Sequence, residues 1–263
     1  MTKPPYQGER MEVPSELQGI YTHFYFAQND SDQVLEFTFV PSFQVMLIFS
    51  LGTPISLVIH DQPEVVIERY FIIGPVKQAF NYRLPPGAKV VVVNFANDGF
   101  HRLFGAATAQ SSHFEQLDED CFSAIHHALQ QQDSAAQQRD LLLAVGKDYL
   151  QSSARLELDT QEMVHQTVHE QAQLKGKHAR TLQMHYKNRL GYSVKEYTRY
   201  HRFMQMITLV QESLASQREV DWADVVFTCG YYDQSHLIRD FKHYLMMSPS
   251  QYLKLSQQMC TSR

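Results

Sequence analysis

From Asp159 to the C-terminus the chain contains a single proline, Pro249, and its apolar residues recur at three- and four-residue spacing. Proline removes an amide donor and breaks helix interiors, so so long a stretch nearly free of it reads as helices throughout. The earlier part reads differently. Between residues 15 and 110, Leu35–Val40 alternates apolar and polar through Leu35, Phe37 and Phe39. Val45–Leu51 is almost continuously apolar and ends at Gly52-Thr53-Pro54. Ile55–Ile59, Val65–Ile73 and Val90–Phe95 follow, punctuated at Asp61-Gln62-Pro63, Gly74-Pro75, Pro85-Pro86-Gly87 and Asn97-Asp98-Gly99. Many short strands at such spacing predict a β-sandwich or small barrel.

A third pattern lies between the two. Phe122, Ile125, Ala128 and Leu129 have helical spacing, Asp133-Ser134 interrupts it, and Leu141, Leu142, Val145, Tyr149 and Leu150 resume it. Gln151–Arg155 is polar and reads as a linker. The expected organisation is therefore a β domain over 1–115, a helical connector over 116–155 and an all-α domain over 156–263. A length of 263 residues suits two domains at roughly 150 residues each.

Composition narrows the class. With 44% hydrophobic and 19% charged residues the chain can bury ordinary cores and is not globally disordered. No apolar run approaches the roughly 18 residues of a membrane helix, and Met1–Pro14 has no signal-peptide core. Cys121, Cys229 and Cys260 are far apart and suggest neither a disulfide framework nor a metal knuckle. A cytoplasmic protein without membrane contact is expected. Net charge is −5, but unevenly spread. Residues 1–159 hold 10 Lys+Arg against 19 Asp+Glu, a net of −9; residues 160–263 hold 13 against 9, a net of +4, with seven of the 13 histidines. Only the C-terminal part is suited to a polyanion, although a +4 surface is also common on proteins that touch no DNA.

Within that part, Trp222, Val225 and Val226 form the apolar face of a short helix starting near Asp221. Gly230 can take the positive φ of a tight turn. Asp233 is an N-cap residue for a second helix whose inward pair is Leu237 and Phe241. A helix, glycine turn and helix with a polar, basic outer face is a helix-turn-helix, or else a helical hairpin in a bundle. In the former, the second helix puts its N-terminal side chains on base edges in the major groove.

The string Gly230-Tyr231-Tyr232-Asp233-Gln234-Ser235-His236-Leu237-Ile238-Arg239-Asp240-Phe241-Lys242, followed by Met247-Ser248-Pro249-Ser250-Gln251-Tyr252-Leu253, closely resembles the signature of AraC-type transcription regulators. That family carries two such motifs. Gly176-Lys177-His178-Ala179-Arg180-Thr181-Leu182-Gln183-Met184-His185-Tyr186-Lys187, closed by Gly191-Tyr192-Ser193-Val194-Lys195-Glu196-Tyr197, resembles the first. It departs from the pattern: His178 replaces the usual Ser cap, Met184 stands where a basic residue is common, and Tyr186 replaces Phe. Gln171 and Lys175 occupy positions where apolar residues usually pack. Between the motifs, Val194–Leu214 has Tyr197, Phe203, Met206, Val210 and Leu214 inward and no proline or glycine. As one helix of about 21 residues it spans roughly 31 Å, close to the ~34 Å between major-groove faces on one side of B-DNA. The same helix must also fill a bundle core.

The candidate DNA-contacting residues are Arg180, Gln183, Met184, Lys187, Gln234, Ser235, His236, Arg239 and Lys242. Arg180 and Arg239 can pair bidentately with guanine, and Gln183 and Gln234 with adenine. Met184 suits a thymine methyl or internal packing. His236 suits a base acceptor or a phosphate. Lys187 and Lys242 suit phosphates, adding affinity and register. For Arg239 an ion pair with Asp240 or another acid is the competing reading.

In the N-terminal part, Pro14-Ser15-Glu16-Leu17-Gln18, Met46–Gly52, Gly74-Pro75, Pro86-Gly87-Ala88 and Asn97–Gly105 resemble the cupin-like sensor domain of one AraC subgroup, with Pro41-Ser42-Phe43 where Pro-Asp-Gly is usual. A metal-dependent cupin enzyme would need a clustered His-x-His with a further Glu and His. His23, His60, His101 and His113 are scattered, and His126-His127 point apart on a helix. No catalytic residues, metal or cofactor are therefore expected. Tyr21, Phe24, Tyr25, Phe26, Phe37, Phe39 and Phe43 either line an apolar ligand pocket or fill a β core. The helices around Phe122–Leu129 and Leu141–Leu150 either form a dimer interface or pack on the β domain. The resemblance implies a bacterial one-component regulator. Its partners would be operator DNA, a small-molecule effector, a second copy of itself and, for an activator, RNA polymerase. The alternative is a protein-interaction module that keeps the fold without specific DNA binding.

Overall fold

A computed structural model of the chain describes residues 5–104, 121–152 and 167–261. Its first part is nine strands: β1 Tyr6–Glu12, β2 Tyr21–Asn29, β3 Leu35–Phe39, β4 Met46–Ser50, β5 Ile55–Val58, β6 Val65–Ile67, β7 Tyr70–Ile73, β8 Phe80–Leu84 and β9 Lys89–Phe95. They form two antiparallel sheets, ordered β1-β2-β9-β4-β7 and β3-β8-β5-β6.

β4 is buried at all five positions because it is covered on both faces. Met46 and Ile48 join the core between the sheets, whereas Leu47 and Phe49 turn to the opposite face. β9 divides likewise: Val90 is in the inter-sheet core, Val91 and Val93 on the other side. Hence the continuous apolar runs, where a half-exposed strand would alternate. The covering layer is α1 Gly99–Phe104, α2 Cys121–Gln130 and α3 Ala135–Ser152. Phe122, Ile125, Leu129, Leu142 and Leu143 pack on Phe49, Val91 and Val93. The two apolar helical stripes therefore close on the chain's own β domain.

One expectation needs correction, and three strands carry no apolar run that marks them. Val65–Ile73 is not one strand: it breaks at Glu68-Arg69 and sends β6 to pair with β5 and β7 with β4, in different sheets. β1 lies in the polar N-terminus and pairs with β2 over seven positions. As an edge strand with Gln7, Glu9, Arg10 and Glu12 it carries charge that discourages further pairing and conceals it from an apolar-pattern search. β2 and β8 are likewise not marked by any apolar run. His113, most of the linker Gln151–Arg155 and both domain boundaries lie outside the described residues.

The second part has six helices among the described residues: α4 Val168–Leu174, α5 Ala179–Leu190, α6 Val194–Ala215, α7 Trp222–Thr228, α8 Gln234–Leu245 and α9 Pro249–Thr261. They share one core, in which Leu182, Tyr186, Phe203, Met206, Val210, Leu237, Phe241 and Tyr244 are each at most 2% exposed. The two i, i+4 pairs, Leu182/Tyr186 and Leu237/Phe241, face inward as their spacing required.

Candidate DNA interface

The second helix-turn-helix unit follows from local chemistry. The Asp221 side chain accepts from the backbone N–H of Ala223 at 2.9 Å and Asp224 at 3.2 Å, opening α7. Gly230 has φ +68° with open space around it, a left-handed turn that any Cβ would strain. Asp233 caps α8, accepting from His236 N–H at 2.6 Å. Burying Leu237 and Phe241 leaves Gln234, Ser235, Arg239 and Lys242 exposed along the other side of α8.

His236 is only half exposed. Its Nε2 lies 3.2 Å from Arg202 Nη2, and since a guanidinium only donates, Nε2 accepts and Nδ1 remains for an external partner. Arg239 Nε donates to Ser235 O at 3.2 Å within its own helix. Asp240 is not its partner. That carboxylate is fully buried and takes Arg199 Nε and Nη2 at 2.7 Å, with Arg202 Nη2 at 3.7 Å. Both arginines come from α6, so the linker helix holds the recognition helix by charge as well as by packing. The Arg202 guanidinium also lies 4.8 Å over the Tyr231 ring. Burial, then the Asp240 charge, pushes the Tyr231 hydroxyl well above its ordinary range, so it stays protonated. Neither arginine stood out in the sequence; helical spacing places them on α6 but does not say what faces them.

α6 is one helix of 22 residues, opened by a capping box in which Ser193 Oγ accepts from Glu196 N–H and Glu196 accepts from Ser193 N–H. At 1.5 Å per residue it is about 33 Å long.

The first unit explains its own departures. Gln171, on α4, is fully buried, and its Oε1 accepts from Tyr186 OH at 2.6 Å. Two of the residues that break the family pattern are thus partners. A buried polar group on one helix is satisfied by the hydroxyl added on the next. Each single apolar replacement takes this buried bond from the other group, at about 1–3 kcal/mol. The double replacement Gln171→Leu with Tyr186→Phe is expected to cost clearly less than the two singles together. Urea midpoints of the four proteins test this; additive losses would show that the pair does not interact. His178 precedes α5 without a side-chain cap bond. Of the first-unit candidates, Arg180, Gln183, Met184 and Lys187 are all exposed on α5. Met184 and Lys187 also border a cleft of about 460 Å³ with Pro75, Asp98 and His101, so the β domain abuts the C-terminal half of this helix.

The two domains are clasped. Phe43 leaves the β core and is 5% exposed inside the helical core, stacked on Tyr200 with ring centroids 4.2 Å apart and also near Tyr192, Tyr197 and Tyr244. Tyr200 OH donates to Pro41 O at 3.0 Å, and Ala79 N–H to Tyr244 O at 2.8 Å. Arg189 pairs at 2.5 Å with Asp98, which is fully buried. Gly191 has φ +76°, and a Cβ there would stand 2.7 Å from Pro75. Lys77 Nζ donates to Glu196 at 2.8 Å. Burial alone would raise the Glu196 carboxyl, but the Lys77 hydrogen bond and the Ser193 donors prevail and hold it at about 2. Of the aromatics expected to line a pocket or fill the β core, Tyr25 and Phe39 line the inter-sheet cavity, Tyr21, Phe24 and Phe26 lie under the helices, and Phe43 belongs to the other domain.

Among the described residues no three His, Cys, Asp or Glu converge as metal ligands. No described helix is long and apolar enough to cross a membrane.

Residues 172–255 match a family model described as a helix-turn-helix domain. This part of the chain is therefore a helix-turn-helix domain, and it is joined to a two-sheet β domain. A solved structure of ToxT from Vibrio cholerae is similar at 12% identity over 95% of this chain and 98% of that one, with a TM-score of 0.41. An unsaturated fatty acid-bound ToxT structure from the same organism is similar at 14% identity, over 88% and 94% of the two chains, with a TM-score of 0.40. The EutQ protein of Clostridium difficile is similar at 10% identity over 34% of this chain and 61% of that one, with a TM-score of 0.26. The curated protein sequences contain no match.

Proposed function

We propose that the chain is a cytoplasmic one-component transcription regulator. Residues 156–263 bind operator DNA through two helix-turn-helix units, residues 1–115 receive a small-molecule signal or dimerise, and residues 116–155 connect the two. The observation that carries the reading is α8: a capped recognition helix with Gln234, Ser235, Arg239 and Lys242 on its exposed side, within the segment that matches the helix-turn-helix family. Arg239 and Gln234 read bases, and Lys242 neutralises a phosphate. Arg180, Gln183, Met184 and Lys187 act in the same way from α5. Asp240 is already taken by Arg199 and Arg202, which leaves Arg239 available to DNA. The signal acts by shifting the population between the clasped arrangement and one that presents both recognition helices. For an activator, RNA polymerase is the downstream partner.

Selection from random-sequence duplexes at two salt concentrations tests this. A two-part enriched motif about one helical turn apart is expected, a single short block would restrict reading to α8, and no binding even at low salt would favour an interaction module. On the selected site Arg239→Ala is expected to cost about 1–3 kcal/mol and to relax preference at one position. Lys242→Ala is expected to weaken all sequences alike and flatten the salt slope by about one unit. Unchanged selectivity in the first, or an unchanged slope in the second, removes that residue from the interface.

A further inference from the structure

Between the two sheets lies a cavity of about 170 Å³. Its wall is largely apolar, with Phe39 and Phe80 stacked at 5.3 Å on one side and Met46, Ile48 and Val90 on another. Its polar groups are His23, Tyr25, Tyr82 and Asn94, and no Lys, Arg, Asp or Glu lines it. Asn94 is 2% exposed, and its amide makes no side-chain hydrogen bond among the described residues. A buried amide with two donors and an acceptor is costly to leave unmatched, and this one lines the empty space.

None of the four carries a permanent charge: they are an amide, two phenols and an imidazole. Burial, with Arg10 nearby, lowers the His23 imidazole below its usual value, against a smaller opposing pull from Glu12. Burial pushes the Tyr82 hydroxyl up to about 12. Tyr25 OH is hydrogen-bonded to Tyr6 OH at 2.8 Å. Such a site returns nothing for the hydration an ion must give up, so it rejects carboxylates and phosphates. Its size also sets a limit, since an apolar cavity of about 150 Å³ accommodates benzene.

We propose that this cavity binds a small uncharged molecule of about one aromatic ring carrying an amide, carbonyl or hydroxyl group, anchored by the Asn94 amide, and that its occupancy is transmitted to the helix-turn-helix domain. The second half rests on the sensor reading above. The path is short. Phe39 and Phe80 are register partners. Four residues beyond Phe39 is Phe43, seated among the tyrosines of the helical core, and Pro41 between them accepts from Tyr200. Immediately before Phe80 is Ala79, whose N–H bonds Tyr244 O. A ring that spreads the Phe39–Phe80 pair therefore loads both backbone contacts and the Phe43 plug.

The test uses two probes of one shape, benzamide and benzoate, titrated at pH 7 into the full chain and followed by protein NMR and calorimetry. Benzamide is expected to bind saturably in the millimolar range or tighter, and benzoate at least tenfold more weakly. Asn94→Leu is expected to weaken benzamide at least fivefold. Ala27→Leu, which adds three carbons to the wall, is expected to abolish binding and serves if the first variant does not fold. Equal binding of benzoate, no saturable benzamide binding, or parent-like binding by a folded variant overturns the site. If benzamide binds but changes neither Ala79 amide exchange nor affinity for the selected DNA, the transmission and the sensor reading fail while the site stands. If benzamide binds and the chain selects no DNA, the regulator reading fails and the ligand site again stands.

Discussion

Arg199→Ala is expected to destabilise the C-terminal domain by about 3–5 kcal/mol, the range for removing one partner of a buried ion pair. Asp240 is fully buried, and its best hydrogen bonds, at 2.7 Å, come from Arg199. Without them the nearest cation to the carboxylate is Arg202 at 3.7 Å, too long to offset its lost hydration. The opposite replacement should cost less. Asp240→Leu leaves Arg199 and Arg202 behind, but their side chains are 38% and 27% exposed and can turn to water. Urea denaturation with unchanged slope gives both values. The inequality is the content of the prediction: if Asp240→Leu costs as much as Arg199→Ala, the site is held by packing and not by charge. Because Asp240 sits on α8 and both arginines on α6, Arg199→Ala should also weaken specific DNA binding at temperatures where the domain remains folded.

Phe43→Gly is expected to open the clasp between the domains while leaving each folded. The ring buries against four tyrosines, and losing it removes about 3 kcal/mol of contact. The backbone points the same way. Phe43 sits at φ +54°, a left-handed conformation that costs a side-chain-bearing residue roughly 1–2 kcal/mol and glycine nothing. It stands where the resembled sensor domains carry the glycine of Pro-Asp-Gly. Glycine here therefore relaxes the β-domain turn as it empties the socket. Amide exchange separates the two effects. Ala79 N–H, bonded across the clasp to Tyr244 O, should exchange roughly 100-fold faster, while β4 and β9 amides keep their protection. Unchanged Ala79 exchange would show that the remaining contacts, chiefly Arg189 with Asp98 and Lys77 with Glu196, suffice to hold the domains together.

What the sequence made legible depended on how local the cause was. Helix caps and turns are decided within a few residues, so Asp221, Gly230 and Asp233 took the roles their chemistry suggested. Amphipathic spacing is nearly as local: Leu237 with Phe241 and Phe203 with Met206 and Val210 had to face a common core. A strand covered on both faces, such as β4, announced itself as an unbroken apolar run. The polar edge strand β1 did not, because its register comes from pairing with β2 and not from burial.

The long-range choices were not legible. The departures at Gln171 and Tyr186 looked like separate losses in the first motif. They are one hydrogen bond, invisible until α4 and α5 pack. Arg239 beside Asp240 looked like a local ion pair, yet neighbours on a helix point apart, and the buried carboxylate went to arginines some forty positions away. Phe43 was one aromatic among seven in a β-rich segment, and only the packing of the two domains placed it in the core of the other.

By itself, then, the sequence determined two domains of different class, the helix-turn-helix motif near the C-terminus, the long linker helix and the polar side of its recognition helix. Each of these depends on backbone conformation or on burial periodicity over one or two turns. The tertiary structure alone decided which polar groups are consumed internally, where the inter-sheet cavity leaves an amide unmatched, and how the domains are held together. Those outcomes depend on which groups meet after the chain has folded, and distance along the chain carries no information about that.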